Sequence, residues 1–124
     1  MAYLHRNRLL GKLGEQLAAC RMIRKGHHIK MMNYNVPKVG ELDILTTDSE
    51  ILVFTQVKTQ TVGQGSGEPR SQITEKKRDR IMNAVQHYMD NNELECDFRF
   101  DVAEVILGYG KPQIQIIKDG ITGY

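Results

Sequence analysis

The stretch Gly40-Glu41-Leu42-Asp43-Ile44-Leu45-Thr46-Thr47-Asp48-Ser49-Glu50-Ile51-Leu52-Val53-Phe54-Thr55-Gln56-Val57-Lys58-Thr59-Gln60 decides how the chain folds. Two segments rich in Ile, Leu, Val, Phe and Thr flank the polar Thr47-Asp48-Ser49-Glu50, the pattern of an antiparallel hairpin. With Asp48 and Ser49 as a two-residue loop, Asp43 stands opposite Phe54. Side chains alternate along a strand, so Asp43, Phe54, Gln56 and Lys58 project from one side of the sheet together with Leu45 and Leu52. A register slip by two keeps that grouping, whereas a slip by one destroys it. Leu42, Ile44, Ile51, Val53 and Val57 take the other side, so both faces are apolar and the strands should be inner ones. Asp43 and Lys58 are therefore costly residues on an otherwise buried face, where a charge persists only if paired, hydrated or metal-bound. The simplest pairing is with each other.

The chain has 124 residues, 40% hydrophobic and 26% charged, as expected for one globular domain spanning 1–124. A net charge of +2 names no partner, so any nucleic-acid argument rests on where the charge sits. No apolar run approaches the roughly 20 residues of a membrane span, and the basic start leads to no signal-peptide core. The expectation is a cytoplasmic protein. Cys20 and Cys96 lack metal-type spacing and read as reduced, buried thiols.

From Leu4 to about Lys25 the pattern is helical, with Leu10, Leu13, Leu17 and Cys20 as an apolar stripe ended by Gly26. Gly11 and Gly14 inside this helix imply that something packs closely against both. Glu15 shares a face with Gly11, Ala18 and Met22, at the edge of a site, although an isolated helix glutamate is usually solvated. His28 to Asn33 reads as a short strand, and Asn35-Val36-Pro37-Lys38 as a turn. No histidine has a partner at ligand spacing.

After Lys58, residues Gln60 to Arg70 hold Gly63, Gly65, Gly67 and Pro69 and read as a long loop able to close over a substrate. A second helix follows, from Ser71 or Thr74 to Asn91, with Ile73, Ile81, Ala84, Val85, Tyr88 and Met89 at core spacing. Arg70, Lys76, Lys77, Arg78 and Arg80 cluster at its start, either a solvated face or a phosphate-binding one. Phe98 to Leu107 is apolar on both faces, hence another inner strand, and Gln113 to Lys118 a short edge strand. The order α-β-β-β-α-β-β describes an α/β domain with a central mixed β-sheet flanked by helices.

An Asp, then an acid, one residue and a Lys is the signature of restriction-endonuclease-like nucleases, and Asp43, Gln56 and Lys58 fall at that spacing. More specifically, the chain resembles the small bacterial YraN-like family, considered similar to archaeal Holliday-junction resolvases. The matching residues are Gly14-Glu15 with Ala18, Gly26, Asn33, Gly40-Glu41-Leu42-Asp43-Ile44, Phe54, Val57-Lys58, Gly67, Pro69, Lys77 and Arg99-Phe100-Asp101-Val102. That resemblance implies a restriction-endonuclease-like core and a DNA endonuclease using Mg or Mn, on branched DNA and as a homodimer. It implies Asp43 as principal metal ligand, Glu15 as a further ligand and Lys58 as the catalytic lysine, with Arg70, Lys76, Lys77 and Arg80 on DNA. The chain departs from the family at the second acid, which is Gln56: its amide oxygen still coordinates a hard cation but without the charge that strips water from magnesium. Glu41 is the nearest substitute ligand. Three readings follow: an active nuclease with weakened metal affinity, a non-catalytic nucleic-acid-binding protein with a degenerate site, and a structural protein in which Asp43 and Lys58 merely pair.

Overall fold

A computed structural model describes residues 2–62, 74–92, 96–108 and 110–119, residues 2–7 by their backbone only. The element order is α1 (Ala2–Arg24), β1 (His28–Val36), β2 (Gly40–Asp48), β3 (Ile51–Thr61), α2 (Glu75–Asn91), β4 (Phe98–Leu107) and β5 (Gln113–Ile117). The strands form one sheet in sequence order, β1-β2-β3-β4-β5. All neighbours are antiparallel except β3 and β4, which run parallel, with α2 as their crossover. The α/β class, the mixed sheet and the order expected from the sequence are what the structure shows.

A helix lies on each side of the sheet because its inner strands are apolar on both faces. On the α2 side, Leu42, Leu45, Leu52, Phe54, Phe100 and Val102 bury against Ile81, Ala84, Val85 and Tyr88. On the α1 side, Ile44, Ala103 and Val105 bury against Ala18, Ala19 and Met22. Helix α2 begins at Thr74, whose side chain accepts the Lys77 N–H at 3.2 Å as an N-cap.

The hairpin register is slipped by two from the simplest one. Leu45 pairs with Phe54, Thr47 with Leu52 and Asp48 with Ile51, so the turn is Ser49-Glu50 with Ser49 at φ 59°. Asp48 stays in the strand because its carboxylate is held there by Arg99 at 3.2 Å. The slip preserves the grouping of Leu45, Leu52 and Phe54 on one face. Leu42 is the exception: it packs on the α2 side, not with Ile44. The alternation breaks between the pairs Met32↔Ile44 and Tyr34↔Leu42, where Asn33 has a left-handed backbone, φ 56°. Met32 packs on the α1 side and Tyr34, two residues on, with the α2 side.

Three expectations for α1 need correction. Of the stripe Leu10, Leu13, Leu17, Cys20, Leu17 packs against the α1-side core and Leu10 is half-buried, but Leu13 is 46% exposed and Cys20 is exposed. Small residues, Gly14, Ala18 and Ala19 with Met22, make the buried side, because this helix lies close to the sheet. Gly14 explains the closeness, since a Cβ there would overlap the Thr59 side chain, whereas Gly11 has open space around it. Cys96 is likewise exposed and free, not buried. Strand β1 also runs three residues beyond Asn33, and the turn falls after Val36, with Lys38 at φ 66°.

At the hairpin-turn end of the sheet lies a network that sequence reasoning missed. Asp101, wholly buried, accepts from Arg99 Nε at 3.1 Å and from the Asp119 N–H at 3.1 Å. Buried His27 shares a 2.8 Å hydrogen bond with Thr46 and lies 3.7 Å from Asp48. Arg99 thus bridges two carboxylates, and its guanidinium is held more firmly protonated by them despite burial. The sequence signal was Arg99-Phe100-Asp101, two opposite charges spaced by two on an apolar strand.

Candidate active site

Strands β2 and β3 pair as far as Ile44↔Thr55 and then part. Asp43 sits where they separate, and its Oδ2 accepts the Val57 N–H at 2.8 Å, standing in for a ladder bond. Beyond that point β3 keeps β4 on one side, in parallel register as far as Thr61↔Leu107. Its other side faces a cleft of about 600 Å³ walled by α1.

This cleft collects Glu15 from α1, Glu41 and Asp43 from β2, and Gln56 and Lys58 from β3. All five residues singled out for chemistry are therefore neighbours. Asp43 and Lys58 share the cleft without an ion pair between them; among the described residues the ion pairs lie elsewhere. A smaller adjoining pocket is lined by Glu41, Gln56, Lys77, Arg80 and Ile81, so two of the basic residues of α2 border Glu41 and Gln56 of the cleft. That helix is fixed there by contact, since a Cβ at Gly40 would overlap the Arg80 carbonyl. Lys76 is exposed and lines neither pocket; of the loop expected from Gln60 to Arg70, Gln60 and Thr61 instead continue β3, and residues 63–70, its glycines and Arg70 among them, lie outside the described residues. Residues not anticipated are Arg8, Lys12, Asn33 and Gln60, which line the cleft too.

Electrostatics mark the cleft as a place where charge is poorly compensated. Burial pushes the Asp43 carboxyl up from 3.8 to about 6, with Glu41 adding to the rise and the Val57 hydrogen bond, Lys58 and Lys77 opposing it. Burial, then the charge of Asp43, raises Glu15 from 4.5 to about 6. Lys58 moves the other way: burial first, then its neighbour Lys77, lower its ammonium from 10.5 to about 8. Carboxylates that resist ionising beside a lysine that resists protonation form a pattern seen most at functional sites.

The donor set suits a hard divalent cation. Among the described residues no three His, Cys, Asp or Glu side chains gather closely enough to enclose one unaided. Gln56 supplies a further oxygen: its Oε1 is buried with no hydrogen-bond partner. A buried carbonyl oxygen left unpaired costs about 1–3 kcal/mol, and a cation would satisfy it. Asp43, Gln56, Glu15 and Glu41 are the oxygen donors the cleft could offer to magnesium or manganese.

An α/β protein consistent with a restriction-endonuclease-like core, carrying an acid-and-lysine cleft where its sheet opens, is the class that this fold and site define. The description "Uncharacterised protein family UPF0102" belongs to a family model that matches residues 14–105, from Gly14 against Thr59 to the end of the α1-side core at Val105. The chain belongs to this family, the YraN-like one that its motifs resemble. It is 38% identical over 103 residues to a UPF0102 protein of Alkaliphilus metalliredigens, covering 82% of this chain and 89% of that one. A Rhodococcus jostii relative is 36% identical over 115 residues, covering 91% and 96%, and a Christiangramia forsetii relative 32% over 110, covering 89% and 91%. No helix among the described residues is long and apolar enough to cross a membrane.

Proposed function

We propose that the protein is a metal-dependent DNA endonuclease that hydrolyses phosphodiesters, on branched DNA in the manner its resemblance implies. The observation that carries this reading is the meeting of Asp43, Glu15, Lys58 and the unpartnered Gln56 oxygen in one cleft. A divalent cation bound there supplies an activated water and neutralises charge on the phosphate. The chain's own residues do the rest. Asp43, fixed by Val57, orients the cation-facing oxygen; Lys58, with its ammonium weakened, accepts or steers a proton of the attacking water and then favours the growing negative charge. Lys77 and Arg80, which share a pocket with Glu41 and Gln56, hold the nucleic-acid backbone. Acting on bacterial DNA places the protein in the cytoplasm. Symmetric cutting of a junction needs two such clefts, hence two copies of the chain, a stoichiometry that sedimentation on a four-way substrate measures.

The test is a cleavage panel across duplex, single-stranded and four-way DNA with Mg and Mn, wild type against Lys58→Ala. Cleavage by the wild type and a loss of at least about a hundredfold in the variant are expected; equal products from both would overturn the reading. A second reading, nucleic-acid binding without cleavage, is favoured by one observation: with Gln56 in place, β3 brings no carboxylate to the cleft. Binding without cleavage that Gln56→Glu does not change supports it.

A further inference from the structure

The cleft continues past its acids. On α1, Glu15, Lys12 and Arg8 all line it, spaced by three and four residues and so on one face of the helix. At about 1.5 Å per residue, Lys12 lies about 4.5 Å and Arg8 about 10 Å along the axis from Glu15. Charge therefore reverses along the cleft, from Glu15, Glu41 and Asp43 at one end to Lys12 and Arg8 at the other. The backbone positions of Arg8 and Lys12, about 6 Å apart along the axis, are spaced on the order of the step between phosphates in an extended strand.

The opposite wall is β3 beyond Thr55, where β2 no longer pairs with it. Gln60 in this stretch carries a second unmet demand: its Nε2 is buried and, among the described residues, has no acceptor. Whatever fills this end should thus offer negative charge to α1 and an acceptor oxygen to β3. The space, about 600 Å³, holds one or two nucleotide units and cannot enclose a duplex. Among the described residues its lining is polar and cationic with no aromatic side chain, a set that suits phosphates and acceptor oxygens.

We propose that this half of the cleft binds one unpaired nucleic-acid strand, its successive phosphates against Lys12 and Arg8 and an acceptor oxygen on the Gln60 amide. The substrate class is then DNA with a single-stranded segment at the site, such as a flap, a frayed end or an opened branch. This rests on the cleft being a nucleic-acid site, not on its cutting.

Fluorescence anisotropy of the full chain in EDTA, with a fluorescein-labelled dT 12-mer and a blunt duplex of equal length, tests it. The single strand binds at least about tenfold more tightly. Gln60→Leu weakens it roughly five- to twentyfold while leaving the melting temperature unchanged or higher, since an unpaired buried donor is removed. The double variant Arg8→Ala, Lys12→Ala lowers the salt slope by about 1.4, at about 0.7 per phosphate contact for single strands. Lys111→Ala, an exposed lysine of the β4–β5 turn outside both pockets, binds as wild type. Equal affinity for strand and duplex, or wild-type binding by the Gln60 and Arg8/Lys12 variants, overturns the proposal. Single-strand binding without cleavage in Mg or Mn overturns the nuclease reading and leaves this one standing; duplex cleavage with unaffected variants does the reverse.

Discussion

Replacing Asp43 by Asn should make the metal-free protein more stable and less able to bind a cation. The carboxyl has been raised from 3.8 to about 6, mainly by burial, so the folded state prefers its neutral form. That difference is worth about 3 kcal/mol of stability forgone above pH 6. Asn is neutral at every pH and keeps an oxygen for the Val57 N–H, now 2.8 Å from the carboxylate. The gain at pH 7.5 should be about 2–3 kcal/mol, or roughly 10 °C in melting temperature for a chain of this size. The sign follows from linkage: with the folded value above the unfolded one, the folded state holds the proton more tightly, and stability falls as pH rises from about 4 to about 6. The difference between variant and wild type should therefore vanish near pH 4. Magnesium at ten times its dissociation constant adds about 1.4 kcal/mol to the wild type and nothing to the variant. Calorimetric melts at pH 4 and 7.5, with and without magnesium, supply all four numbers. An Asp43→Asn variant less stable than wild type at pH 7.5 would refute the reasoning, because the native carboxylate would then be compensated within the chain.

Gln56→Glu should raise magnesium affinity at least about tenfold in titration calorimetry and any cleavage with it, because it restores the missing charge. Gly14→Ala, which drives a methyl group into Thr59, should cost about 1–3 kcal/mol or more, while Gly11→Ala, in open space on the same helix, should gain about 0.5–1 kcal/mol; urea unfolding separates them. Arg99→Ala strands Asp101, wholly buried, and should cost about 3–5 kcal/mol, read by the same method. Reversing Lys77 and Arg80 should weaken DNA binding and flatten its salt slope, while reversing Lys76 should do neither to the same degree; a slope unaltered by the first pair removes α2 from the interface.

Gln56 and Lys58 were legible because alternation from Phe54 survives a slip by two, the slip that occurred; Asp43 joins them where β2 leaves β3, through the hydrogen bond it accepts from Val57. Glu15 was legible through its small-residue neighbours, one of which, Gly14, does touch the sheet. What escaped had no periodic signature. Leu42 changed faces because Asn33 adopts a left-handed backbone that propensity does not dictate. Cys20 and Leu13 looked like core because they are apolar at helical spacing; the face chosen was the one with less bulk, which lets the helix approach. Arg8, Lys12 and Gln60 joined the cleft only through the parting of β2 from β3, a tertiary event.

The Arg99, Asp101, Asp48 and His27 network lies toward the turn of the hairpin, and the acids lie where the same hairpin opens. Anchorage and the proposed chemistry thus occupy separate ends of two strands. One consequence is evolutionary: position 56 can trade a carboxylate for an amide without loosening the clasp that holds the strands together. A lineage is then free to mute or restore the proposed chemistry by a single substitution while the scaffold persists.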